Sequence, residues 1–207
     1  MLSREGRRRD PTQARSRYRQ DRILHVAEQL ISADGSEALR MNEVAAQAGI
    51  SIGSLYQYYR DKGAILAALA ERYHAESTAC IEGELAIATD PRSLEVAFLR
   101  LMEIYAGLFA SKPAMGEVWT AIQADKGLRR IEFEASKRNG EILAQAVRRC
   151  GGAHAGRGIE EAAFTIMALG EATMRLKHNA VDGEGVRIVD AYSKMATGLL
   201  RTLVDDE

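Results

Sequence analysis

The chain has 207 residues, 46% hydrophobic and 28% charged, with three prolines and a formal charge of −1. This is the composition of a soluble globular protein, and the scarcity of proline beside abundant Ala, Leu, Glu and Arg favours helix throughout. It excludes a membrane span, because no apolar run approaches the roughly 20 residues one needs, and it excludes a disulfide framework, because two cysteines stand far apart.

A reducing cytoplasm is the compartment that fits such cysteine usage, and the arginine-rich start lacks the apolar stretch of a secretory signal. The charge is unevenly spread. Residues 1–62 carry 11 Lys/Arg against 8 Asp/Glu, a balance of +3, while the remainder carries 17 against 21, a balance of −4. A basic end on a mildly acidic body suits a protein that meets a polyanion at one end.

Residues 1–18 read as a basic flexible arm with no periodic apolar face, interrupted by Pro11. Its arginines can reach phosphates or a minor groove; the plainer role is a solvated tail. A first helix is predicted from about Arg17 to Ala33, with Ile23, Leu24, Ala27, Leu30 and Ile31 in one apolar stripe, ended by Asp34-Gly35. A second is predicted from Met41 to about Ala48, with Met41, Val44 and Ala45 on its inner face. Gly49 stops it, since glycine reaches the left-handed conformation a helix end often needs. Ser51 is placed to cap a third helix, about Ile52 to Tyr58. There Ile52, Leu55 and Tyr59 are expected to face inward. The opposite face offers Gly53, Ser54, Tyr56, Gln57 and Tyr58, with no acid to repel a phosphate backbone. Two helices joined by a glycine-containing turn form a helix-turn-helix, whose second helix enters the major groove.

The run AAQAGISIGSLYQYYRDK, preceded by ILHVAEQLISADG, resembles the DNA-binding head of the TetR family of repressors. The likeness is dense from about Ile23 to Leu69 and rests on Ala45, Ala48, Gly49, Ser51, Gly53, Leu55, Tyr56, Tyr59 and Lys62 in register. It implies an all-α fold: a three-helix helix-turn-helix head over residues 19–66 and a helical ligand-binding and dimerisation domain over residues 67–207. It also implies a phosphate contact for Tyr56, whose plainer role is a half-buried structural tyrosine. Many members of the family have Thr or Ser where Arg40 stands, and Arg40 cannot cap in that way. Candidate DNA contacts are Met41, Asn42, Ser51, Gly53, Ser54, Tyr56, Gln57, Tyr58 and Lys62. Gln57 can bond a base edge, and Lys62, at the start of a fourth helix running to about Glu84, can attract a phosphate or simply be solvated.

After Asp90-Pro91 the body continues as helices: about Ser93 to Ala110, a shorter one carrying Met115, Val118, Trp119 and Ile122, then Lys126 to Arg149, Ile159 to Asn179, and Val186 to Leu203. CGGAHAGRG from Cys150 is expected to be a loop. Met102, Tyr105, Phe109, Trp119, Phe133, Phe164, Met167, Glu171 and Met174 are candidates to line a small-molecule pocket, although apolar residues of this kind mostly pack a core. Glu171 and Arg175, four apart, can pair on one helical face or anchor a ligand. The resemblance implies a dimer built from the last two helices, with Ala163, Met167, Gly170, Met174, Tyr192, Met195 and Leu199 as candidate contacts; the alternative is that these faces pack within one chain.

No enzyme pattern competes. His25, His74, His154 and His178 are scattered, no zinc spacing or nucleotide fingerprint occurs, and no cofactor or metal is expected. The sequence therefore reads as a ligand-responsive transcriptional regulator, a repressor that releases a palindromic DNA operator when a small hydrophobic effector binds. It is expected to be a homodimer with no membrane partner. The alternative is a helical sequestering protein with a vestigial head.

Overall fold

A computed structural model describes residues 11–151 and 158–204 of the chain, with side chains from residue 14 onward. Arg4, Arg7, Arg8 and Arg9 of the basic arm, His154 and most of the glycine-rich run after Cys150 lie outside the described residues. Among those described there are nine helices and no strand. They fall into two compact units, Met1–Leu69 and Ala70–Glu207.

The first unit is built on α1 (Pro11–Ala38), α2 (Met41–Gln47), α3 (Ile52–Tyr58) and the start of α4 (Lys62–Ala86). Here one expectation is corrected. Residues 11–18, read as flexible arm, are the opening turns of α1. Pro11 does not interrupt the segment; it occupies the first helical position, where its fixed φ fits and its missing N–H would be unused. Far down α1, Gly35 turns the chain at φ 82°. The stripe Ile23, Ala27, Ile31 is fully buried and meets Val44 of α2, Leu55 of α3 and Ile65 and Leu69 of α4 in one small core. Ile52, expected inside, is 37% exposed, because it stands at the first turn of α3 before that helix has reached the core.

The second unit holds the rest of α4 with α5 (Pro91–Ser111), α6 (Pro113–Ala124), α7 (Lys126–Gly151), α8 (Ile159–Asn179) and α9 (Glu184–Val204). Asp90-Pro91 is more than a break. Asp90 Oδ1 accepts from Ser93 N–H at 2.9 Å, and Asp90 N–H donates to Ser93 Oγ at 3.0 Å. That is a reciprocal cap, and it holds the Asp90 carboxyl below the usual carboxylate range. Arg149 near the end of α7 donates to the Leu85 and Ala88 carbonyls at 2.6 and 3.0 Å, satisfying acceptors the end of α4 leaves open. The closest packing is α7 on α8. A Cβ on Gly140 would stand 2.7 Å from the Phe164 Cα, so only glycine permits this approach of two backbones. Trp119, Phe98, Leu94, Leu101 and Met115 are the largest side chains fully sealed inside.

Candidate functional site

The turn between α2 and α3 is fixed almost entirely by backbone chemistry. Gly49, at φ 65°, follows the last residue of α2. Its N–H donates to the Ala46 carbonyl at 3.1 Å, and the Ile50 N–H to the Ala45 carbonyl at 3.1 Å. This is the paired closure of a Schellman motif. Ser51 then opens α3: its hydroxyl accepts from Ser54 N–H at 3.1 Å. The start of α2 has no such cap. Arg40 makes no side-chain bond there, and its carbonyl alone accepts from the Glu43 and Val44 N–H groups. Asp61 caps α4 by accepting from Ala64 N–H at 2.8 Å.

With Leu55 and Tyr59 buried, α3 turns Gly53, Tyr56 and Gln57 outward; Tyr56 is 51% exposed. Ser51 and Asn42 are exposed as well, and Met41, Ser54 and Tyr58 are half-buried. Nothing lies within 4 Å of the position a Cβ would take on Gly53, so its surface is open. Lys62 is differently employed. Its ammonium donates to the Ser36 and Glu37 carbonyls at 3.3 and 3.1 Å, closing the end of α1 on the start of α4, with one N–H left over. On α1, Arg15, Tyr18, Arg19 and Arg22 line a hollow against Ala48–Ile50 of the turn, with the Arg22 guanidinium over Gly49.

The second unit encloses a chamber of about 330 Å³ lined by Ile81, Leu101, Met102, Tyr105, Met167 and Tyr192, with Asn139 and Glu171 as its polar walls. Glu171 is 4% exposed. Its Oε2 accepts from the Ser136 hydroxyl at 2.8 Å, and its Oε1 faces His74 Nδ1 at 3.3 Å. Burial is the main cause that lifts its pKa to about 7; the Glu132 charge adds, while Ser136 and Arg175 oppose. Burial depresses the His74 pKa to about 4, so this imidazole is neutral near pH 7. Burial and the Glu171 carboxyl beside it push the Tyr105 phenol upward. Thr78 donates to Asn139 at 2.7 Å. Behind the chamber Trp119 stacks with His74, Tyr73 and Phe109, centroids 4.8 to 6.0 Å apart.

A family model described as "Tetracyclin repressor-like, C-terminal domain" matches residues 92–204, more than half of the chain. A second, "Bacterial regulatory proteins, tetR family", matches residues 23–69. The chain belongs to the TetR family. Among similar solved structures are a TetR transcriptional regulator from Rhodococcus sp. RHA1 (TM-score 0.64, 19% identity, 92% of this chain and 100% of that one) and the transcriptional regulator FadR from Bacillus subtilis in complex with stearoyl-CoA (0.64, 18%, 89% and 99%). A third is the TetR family repressor AlkX from Dietzia sp., implicated in biodegradation of n-alkanes (0.60, 18%, 97% and 100%). At these identities the likeness is one of fold. A curated relative, the uncharacterized HTH-type transcriptional regulator in the dhlA 5′ region of Xanthobacter autotrophicus, is 38% identical over 53 residues. The match spans 26% of either chain.

Within this TetR-family body the residues expected to hold a ligand are not one group. Met102, Tyr105, Met167 and Glu171 line the chamber. Phe109, Trp119 and Met174 are buried core. Phe133 is 55% exposed and sits edge-on to Phe164, 5.4 Å between centroids, in a surface groove. Arg175 pairs with Glu132 of α7 and not with Glu171. The two charges four apart on α8 are drawn to different neighbours, because Glu171 points into the dry interior.

The dimer contacts need correcting. Ala163, Met167, Gly170, Met174 and Tyr192 are buried within the chain, where a second copy cannot touch them. Tyr192 donates to the Ile166 carbonyl, and Gly170 leaves room for its hydroxyl. Small residues at helical spacing here serve α8–α9 packing inside one chain. Met195 and Leu199 are exposed. His74, Ser77, Ser136 and Asn139 escaped the sequence reading. Their trace was small polar residues set into otherwise apolar faces of α4 and α7, with Glu132, Ser136 and Asn139 spaced by four and three.

Proposed function

We propose that this TetR-family chain is a homodimeric repressor that reads a palindromic operator with α3 and lets it go when a small effector occupies the body. The observation that supports the reading best is the outward face of α3. It is capped at Ser51, anchored by Leu55, free of acids, and carries Tyr56 and Gln57 on its surface. A head kept only as a remnant would not need both a Schellman closure and a serine cap around this turn. Tyr56 is assigned to a backbone phosphate and Gln57 to a base edge. Asn42, Ser51 and the half-buried Met41, Ser54 and Tyr58 lie beside them, and Lys62 reaches a phosphate with its remaining N–H. One short helix reads too few bases for selectivity, so two heads on a two-fold axis are required. The outward stripe Leu169, Ala172 and Leu176 of α8, with Met195 and Leu199 of α9, is assigned to the dimer contact. A ligand in the chamber shifts the spacing of the heads only if it binds the released form more tightly.

Fluorescence-anisotropy titration with DNA from upstream of the gene, against a scrambled control, tests this. The native sequence is expected to bind at least about a hundredfold more tightly. Gln57→Ala should lower that affinity about tenfold or more, and Tyr56→Phe, which removes one hydroxyl, about three- to tenfold. Equal and steeply salt-dependent binding to both DNAs would sink the operator reading.

Gly53 gives a second measurement. Alanine there improves helix propensity by about 0.5–1 kcal/mol and meets nothing in the free chain. If α3 lies close against the groove, Gly53→Ala should raise the melting temperature slightly while lowering operator affinity severalfold.

A further inference from the structure

Glu171 has no cation of its own. Arg175, four residues on, is held by Glu132, and the only basic side chain that faces Glu171 is His74, whose burial keeps it neutral. Oε2 has the Ser136 hydroxyl, while Oε1 makes no hydrogen bond, and neither nitrogen of His74 makes one. A half-satisfied carboxyl sealed among Met102, Leu101, Met167 and Ile81 is a costly arrangement for a core. A ligand that brings a positive charge would complete it.

The way in carries the same sign. A groove along α4 and α7 is lined by Glu71, His74, Thr78, Glu82, Ile131 and Arg138. Two of its charges are acidic, and its one guanidinium reaches Glu82 at 3.8 Å. His74 and Thr78 form the wall between this groove and the chamber: His74 meets Glu171, and Thr78 bonds Asn139.

We propose that the chamber binds a compact organic cation, an amine on an apolar frame, with the ammonium group against the Glu171 carboxylate and the frame against Met102, Tyr105, Leu101 and Met167. This rests on the reading of the body as an effector domain and narrows the effector's chemistry. An acid or an anionic thioester would bring like charge toward Glu171, with Glu132 nearby. The chamber's volume lies at the lower end for ligand pockets, which favours a small molecule. The groups that face Glu171 are His74 and Ser77 from α4, Tyr105 from α5, Trp119 from α6, Glu132 and Ser136 from α7, and Arg175 on its own helix. With the Glu171 carboxyl titrating near pH 7, an amine displaces its proton, so binding strengthens from pH 6 to pH 8.

Trp119, the chain's one tryptophan, stacks on His74 and reports occupancy without any DNA. The full chain is titrated with benzylamine, benzyl alcohol, benzoate and stearoyl-CoA at pH 6 and pH 8, following its fluorescence. Benzylamine is expected to saturate in the millimolar range or below, at least tenfold more tightly than the alcohol at pH 8, and to weaken about tenfold at pH 6. Glu171→Gln, verified as folded by circular dichroism, should erase both the preference and the pH dependence. Ser136→Ala, which removes a bond that holds the carboxylate, should move the midpoint to higher pH. Equal affinity for amine and alcohol, an unchanged Glu171→Gln titration, tight stearoyl-CoA binding in place of the amine, or no saturable amine response would each overturn the proposal. Since the readout contains no operator, a chain that binds its operator yet ignores amines fails here alone, and one that binds amines without an operator fails only as a repressor.

Discussion

Replacing Gly49 by valine is expected to destabilise the head by about 2–3 kcal/mol and to lower operator affinity at least tenfold. Gly49 sits at φ 65°, where a residue with a Cβ is strained by about 1–2 kcal/mol and a β-branched one by more. The new Cβ would also stand 3.0 Å from the Arg22 guanidinium, which would have to leave the turn. Both effects fall on the Gly49 and Ile50 hydrogen bonds that set the angle between α2 and α3. A unit of about 60 residues has a total stability on the order of 3–9 kcal/mol, so the loss is a large share of it. Thermal melts by circular dichroism and operator anisotropy should move together. A variant that melts like the parent and binds the operator equally well would show that the turn's geometry is not what positions α3. The contrast with Gly53 is useful: at Gly49 stability and affinity fall together, whereas at Gly53 they should part.

The head was legible in the sequence because its information is local. Gly49 stops a helix by backbone conformation, Ser51 caps the next by a side chain three residues from its target, and Ile23, Ala27 and Ile31 repeat every four residues. The same local rules placed the helices of the body. What they could not show is which neighbour a given face meets. The Ala163–Gly170–Met174 stripe has the small-residue spacing of a helix contact, and such spacing is the same whether the partner helix belongs to this chain or another. Here the partner is Tyr192 of α9. Likewise Glu171 and Arg175 look like a pair in sequence, and their partners come from α4 and α7, more than 30 residues away. Pro11 misled for another reason: a proline that ends a helix and one that begins it are the same residue, told apart only by which side the helix lies on.

Glu171→Gln should stabilise the free chain at pH 8 by about 2 kcal/mol and have almost no effect near pH 4.5. Burial raises the folded-state pKa of this carboxyl from the ordinary 4.5 to about 7. Below pH 4.5 it is protonated in folded and unfolded chains alike, and folding is not penalised. As pH rises from 4.5 toward 7 the unfolded chain gives up the proton while the folded chain keeps it, so stability falls across that window. Above pH 7 the loss is complete, about 3 kcal/mol at most on a shift of this size. Glutamine does not titrate and escapes the loss, less what its own amide costs in the same place. His74 runs the other way, destabilising as pH falls from 6.5 to about 4, but it does so in both variants and largely cancels from the comparison. Urea unfolding at pH 5 and pH 8 decides the matter. A variant less stable than the parent at pH 8 would mean that the carboxylate is well held by Ser136 and its neighbours, with nothing left for a ligand to complete. A variant more stable at pH 8 that no longer answers benzylamine would place Glu171 among residues kept at a cost to the fold for what they bind.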